Sequence, residues 1–384
     1  MISYQSRWTQ LIVSNWIVLE ITNSPFLVSL VAFCGTIPLF FIGILGGQFA
    51  DQLPRKKLLL FTASASLTAS LIILGEIITN SIEYWHIYIS ISIIGISWAI
   101  DMPSRRSLIH DFMDGKPIAN GVALDSIGIS LATMIGPALA GVLMSIYGSI
   151  SSLALICIFY IISIFSINLI PTTTQSNQNS KHQLLKIQYK EIFNLLKTYP
   201  IIIPTIFLTI VMNLLMFPYT FILPVIAKNT LGLEHDLMGI LQATPGIGAM
   251  IGTILICSFT KLPDHYKIYS NGCLIAFLGV LCFAISTNFI TSSFILILVG
   301  LGTAGFASMQ STIILTNTPY NKRGLALGLI TIAIGTGPFG ALFIGQIAEI
   351  FNPQNALILN SLLGLTLTIL SIISLKIKKI TPSN

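Results

Sequence analysis

Charge is what this sequence has least of. Asp, Glu, Lys and Arg make up 8% of its 384 residues, where a soluble domain carries about 25%. So little charge cannot wet a globular surface of this size, which excludes a soluble enzyme, a secreted scaffold and a nucleic-acid-binding domain. Cysteine is sparse too. The five (Cys34, Cys157, Cys257, Cys273 and Cys282) all sit in apolar stretches and form no CxxC pair, which excludes a disulfide framework. The five histidines lack metal-ligand spacing, so no metal is expected. Walker A, dinucleotide and nucleophile-elbow motifs are missing, so no cofactor and no enzyme chemistry are expected. The first apolar run carries Asn15 and Glu20 and has no small-residue cleavage site, unlike a cleaved leader.

Long apolar runs are what the chain has instead. Hydrophobic residues make up 54% of it. A membrane-crossing helix needs about 20 apolar residues, and twelve such segments are predicted. The first ends near Ile21. The others span 26–47, 58–79, 84–103, 119–147, 150–170, 200–227, 237–259, 268–288, 292–317, 324–348 and 353–375. Gly148-Ser149 separates the fifth from the sixth. The runs are continuous, without the alternation of barrel strands. The fold class is therefore an all-α membrane protein of twelve transmembrane helices. Counted from Trp8, the first helix is apparently shortened. Either residues 1–6 also enter the membrane or the chain begins further upstream, and the second is the expectation.

Of 19 Lys and Arg, 17 fall in alternate loops or the C-terminal tail, at 55–57, 103–117, 171–199, 260–267, 318–323 and 376–379. The other loops hold only Lys228, and Arg7 is the one remaining. This is the positive-inside pattern. It makes those loops and both termini cytoplasmic, and it explains the net charge of +6 without a nucleic-acid partner.

The predicted domains are a six-helix bundle over 1–170, a cytoplasmic linker over 171–199, and a second six-helix bundle with a basic tail over 200–384. The linker opens with PTTTQSNQNS and continues into a basic amphipathic helix. Leu185, Tyr189, Ile192 and Leu196 share its apolar face, expected to lie on the membrane lipids. The halves echo each other: GPALAG at 136–141 against GPFGALFIG at 337–345, and QFADQLPRKK at 48–57 against SFTKLPDHYK at 258–267. Two parallel repeats suggest an alternating-access transporter with its site between the halves.

The loop from Gly47 through Asp51, Arg55 and Lys56 to Lys57 resembles motif A of the major facilitator superfamily. Gly47, Ala50, Asp51, Arg55, Lys56 and Leu59 match; Phe49, Gln52 and Pro54 depart from it. Further stretches resemble the superfamily's drug:proton antiporter-3 group, which includes the enterobactin exporter and macrolide efflux proteins. They are AIDMPSRRSLIHDFM (99–113), IANGVALDS (118–126), IGPALAG (135–141), FPYTFILPVIAKNTLG (217–232) and TPYNKRGLALGL (318–329). The resemblance implies the major facilitator fold and a conformational latch. Gly47 would allow close helix packing. Asp51 would face the N-terminus of the helix beginning near Gly324. Arg55 would pair with Asp101, which alternatively pairs with Arg105 four residues on. Gly136-Pro137 resembles the core of the group's antiporter motif, implying a kink in the fifth helix.

Intramembrane acids are costly and often functional. Asp125 and Glu20 are the coupling candidates. Glu76 and Glu349 fall near the outer interface, where solvated capping is expected. Substrate-path candidates are Asn15, Trp16, Tyr88, Trp98, Asn213, Phe217, Tyr219, Met309 and Gln310, with Gln242 beside them. A Met and aromatic lining suits an amphiphilic organic molecule. The expected function is proton-coupled efflux of a small amphiphile, a siderophore or drug-like compound, by a monomer in a bacterial inner membrane. An importer on the same fold and a degenerate, non-transporting chain are the alternatives.

Overall fold

Every regular element is a helix among the residues that the computed structural model describes: 2–112, 118–170, 189–258, 264–319 and 322–380. In chain order these are α1 Ile2–Thr22, α2 Pro25–Gln52, α3 Arg55–Ile78, α4 Tyr84–Phe112, α5 Ile118–Asn168, α6 Tyr189–Thr198 and α7 Ile202–Val211. A π-helical turn, Met212–Met216, leads into α8 Tyr219–Asn229. Then come α9 His235–Ser258, α10 His265–Ala284, α11 Phe289–Asn317, α12 Arg323–Ile334, α13 Gly337–Phe351 and α14 Pro353–Ile380. Helices are what long apolar runs must form in lipid, because only they satisfy every backbone group within the segment. Phe41, Phe61, Phe165 and Phe294 are each left about two-thirds exposed, as lipid-facing side chains are.

Ten stretches among the described residues are long and apolar enough to cross a membrane. One of them, Leu131–Asn168, has 38 residues. At about 1.5 Å per residue it is nearly twice one crossing. It turns at Gly148, whose φ of 75° suits glycine, so α5 supplies two crossings. Helix α1, with 21 residues, is not among those ten stretches and makes the twelfth long helical segment. The polar turn at residues 2–6 belongs to the helix, because Tyr4, Ser6, Thr9 and Gln10 are buried against protein rather than lipid.

One departure has a local cause. The segment 200–227 is widened at Met212–Met216, where the Phe217 amide bonds the Met212 carbonyl five residues back at 2.9 Å. Pro218 has no N–H to give the Leu214 carbonyl, and its ring crowds that oxygen, so the turn opens. Pro137 lies inside α5, and the non-helical backbone of that helix is at Gly148.

The chain divides into two compact units: residues 1–182 with 227–243, and 183–226 with 244–384. In the first, α2 packs on α4 and α1 on α5, with α3 against both α4 and α5. The start of α9 joins them by a close approach. A Cβ on Gly239 would lie 2.6 Å from the Pro137 carbonyl oxygen and 2.7 Å from Gly141 Cα, nearer than a side chain can come. In the second, α10 pairs with α11 and α14. Helix α6 docks there too. Its buried anchor is Leu195, packed with Ile202, Ile314, Ala326 and Ile330. The apolar face thus meets protein through Leu195 and Leu196. Leu185 and the rest of 171–188 lie outside the described residues.

Candidate functional site

Three polar clusters lie within these apolar units. The first gathers α1, α4 and α5. Arg105 donates from Nε to Asp101 Oδ2 and from Nη2 to Asp101 Oδ1, both at 3.0 Å. This is an i,i+4 pair, the second of the two partners open to Asp101 in the sequence. Arg105 Nη2 also donates to Ser3 Oγ at 2.7 Å, and its guanidinium lies 5.0 Å from the Tyr4 ring centroid. Tyr4 in turn donates its hydroxyl to Asp125 Oδ1 at 2.7 Å and packs edge-on against Trp98. Arg7 stacks over the other side of this group, 4.1 Å from the Trp98 ring centroid. The fold therefore brings Trp98, Asp101, Arg105 and Asp125 together and adds Tyr4 and Arg7, which the sequence did not single out for this site. The signal for Arg7 was available: it is a cation inside an apolar segment.

The second cluster joins the end of α1 to the start of α9. Glu20 Oε1 accepts from Trp16 Nε1 at 2.7 Å and lies 3.1 Å from His235 Nε2. The Trp16 and His235 rings are 4.4 Å apart, and Lys228 bonds Asn23 Oδ1 at 3.1 Å. Glu20, a coupling candidate in the sequence, is therefore a partner of His235. Elsewhere in this unit Tyr88 donates to the Leu27 carbonyl, and Glu76 pairs with His86. Asn15 is buried, and among the described residues neither of its amide atoms has a hydrogen-bond partner.

The third cluster lies in the second unit around the π-helical turn. The Thr209 hydroxyl accepts from Gln310 Nε2 and shares a bond with the Tyr269 hydroxyl, each at 2.9 Å. Asn213 Nδ2 donates to the Thr209 carbonyl, and Tyr269 to that of Thr205. Phe306 stacks on Tyr269 and meets Phe217 edge-on. Tyr219 and Met309 are buried. Thr209 is thus the hub that joins Gln310 to Asn213, and a lone Thr in an apolar run gave no warning of it. We expect Thr209→Val to cost about 1–3 kcal/mol by orphaning the Gln310 amide. Chemical unfolding in lipid nanodiscs measures this, and an unchanged midpoint would count against the hub. Gln242 lies in α9, in the first unit, and is bonded.

The latch residues have a different setting. The side chains of Gly47, Asp51 and Gly324 lie outside those described. Lys56 Nζ donates to the carbonyls of Asn168 at 2.8 Å and Ile170 at 2.6 Å. It ties the start of α3 to the C-terminal end of α5, where a cation suits the helix dipole. Gly136 fits against α1, where a Cβ would meet Thr9 N and Trp8 Cβ at 3.2 Å.

The family model described as transmembrane secretion effector matches residues 1–384. A curated relative, the staphyloferrin A transporter of Staphylococcus aureus, is 26% identical over 360 residues, covering 91% of this chain and 87% of that protein. Among solved structures, a POT family transporter in complex with a thioalcohol-conjugated peptide superposes with a TM-score of 0.74 at 11% identity, covering 99% of this chain and 96% of that one. The nucleoside transporter NupG gives 0.71 at 14% identity, covering 98% of both chains. A bacterial homologue of the human lysosomal transporter Spinster, inward-facing and unoccupied, gives 0.70 at 14%, covering 98% and 92%. At such identities the structures establish the fold alone.

Proposed function

The chain belongs to the transmembrane secretion effector family of the major facilitator superfamily, and from that premise we propose that it is a proton-coupled exporter of a small amphiphilic molecule, of the siderophore kind. The observation that carries the reading is the family match over the whole chain, residues 1–384. A relative that transports staphyloferrin A favours a siderophore over a drug-like cargo. The family's secretory character favours outward transport.

In this reading the protein is a monomer in the bacterial inner membrane, with both termini in the cytoplasm, which the Lys and Arg distribution supports. Alternating access moves the cargo, and Asp51, Arg55 and Lys56 help to close the cytoplasmic side. The inward proton gradient drives the cycle through a carboxylate, for which Asp125 is the leading candidate and Glu20 the second. No resident cofactor takes part.

The test is the set of small molecules released by cells lacking the protein and by cells re-expressing it, with and without iron limitation, read by mass spectrometry. A metabolite found outside only when the protein is present is expected, and more of it under iron limitation. Identical media in all four conditions would sink the export reading.

A further inference from the structure

Arg7 is a cation placed where cations are expensive. Its Nη1 is buried and, among the described residues, has no hydrogen-bond partner. Its guanidinium lies over the Trp98 face, 4.1 Å from the ring centroid. Asp101 is the carboxylate that acts on it, but Arg105 already holds both oxygens of Asp101. A buried N–H donor on a charged group costs free energy until something accepts from it.

What lies beside Arg7 is a cavity of about 30 Å³, lined by hydroxyls of Ser3, Ser66, Ser97 and Tyr160 as well as by Arg7 and Asp101. One water-sized sphere needs about 10–15 Å³ on this measure, so the space suits two oxygen atoms side by side. Both nearby carboxylates are engaged elsewhere, Asp101 by Arg105 and Asp125 by Tyr4, so neither accepts from Arg7 among the described residues. A planar anion with two oxygens matches both this space and the guanidinium fork.

We propose that this cavity is a subsite for a carboxylate group of the transported molecule, with Arg7 donating to it and the surrounding hydroxyls completing its shell. The inference rests on the transporter reading and narrows its substrate to carboxylate-bearing amphiphiles. Trp98, lying against the guanidinium, adds an apolar wall and an optical reporter.

The test uses the full chain in lipid nanodiscs, with acetate as the probe and acetamide as its uncharged shape match. Tryptophan emission is recorded during each titration at constant ionic strength, and Trp98→Phe identifies the part that reports from the cavity. Acetate is expected to give a saturable change, and acetamide to need at least a tenfold higher concentration for the same change. Arg7→Gln should abolish the response, and Arg7→Lys should weaken it without abolishing it. An acetamide response equal to that of acetate would make the occupant a neutral polar group or water and overturn the proposal. So would the absence of any acetate response, or its survival in Arg7→Gln. If Arg7→Gln fails to fold, the acetate and acetamide comparison on the unaltered protein, with Arg7→Lys, still decides. Binding at equilibrium needs no transport. A protein that binds acetate but releases no metabolite therefore overturns the export reading alone, and one that exports without binding acetate overturns the subsite alone.

Discussion

Replacing Arg105 with Ala is expected to destabilise the protein by about 3–5 kcal/mol, because the change strands a buried carboxylate. Asp101 receives both of its 3.0 Å ion-pair bonds from Arg105, and the two side chains are only 12% and 17% exposed. The same guanidinium bonds Ser3 and lies over Tyr4, so its loss also loosens α1 from α4. Among the described residues Arg7 is the other cation of this group, and taking over Asp101 would draw it off Trp98. Removing both charges at once, Arg105→Met with Asp101→Leu, should restore stability to within about 1 kcal/mol, since a buried pair is close to neutral against apolar residues of like size. Unfolding in nanodiscs at several denaturant concentrations measures both variants. A loss below about 1 kcal/mol for Arg105→Ala would show that Asp101 is not dependent on it. A double variant as unstable as the single one would show that the pair contributes more than mutual compensation.

The twelve crossings were legible because lipid imposes one requirement, a long apolar run, and eleven of the segments meet it openly. Helix α1 is the exception because its first turns are polar, and Tyr4, Ser6 and Gln10 are buried against its neighbours. Gly148 could be read in advance, since a small residue at a charge-free junction can turn the chain. The π-helical turn could not be, although Pro218 causes it. Its carbonyls are received by groups far along the chain, such as Asn360 Nδ2 on Leu215 O. The amphipathic linker helix was legible as a helix, but its register was not. The choice of Leu195 as anchor depends on Ile314 and Ala326 in α11 and α12.

The polar clusters show the same division. Intramembrane acids can be picked out one at a time, which is how Asp125 and Glu20 were found. Their partners cannot. Tyr4 lies 121 residues from Asp125, and His235 lies 215 residues from Glu20. Neither a tyrosine nor a histidine stands out in its own segment. Arg7 was visible as the one cation outside the loops and tail, but its position inside a helix went unused. The amide rule located Asn213 and Gln310, since a buried amide must be satisfied, but not the threonine that serves both.

The remaining large effect concerns the proton. Asp125→Asn is expected to lower proton-driven export at least tenfold while leaving the protein folded. Tyr4 donates to Oδ1 of Asp125, and an asparagine keeps an oxygen there to accept that bond, so the packing of α1 on α5 survives. What the amide cannot do is take up and release a proton. Everted vesicles with an imposed pH gradient, loaded with the metabolite identified by the release comparison, separate the two properties. Flux in the unaltered protein should rise with the gradient, and flux in Asp125→Asn should not respond to it. Tyr4→Phe is the matched control: it removes the hydrogen bond but keeps the carboxylate, so gradient-driven flux should persist. If Tyr4→Phe is as inactive as Asp125→Asn, the hydrogen bond and not the titrating group is what transport requires. If Asp125→Asn still follows the gradient, the coupling carboxylate lies elsewhere, and Glu20 with its His235 partner is the next to test.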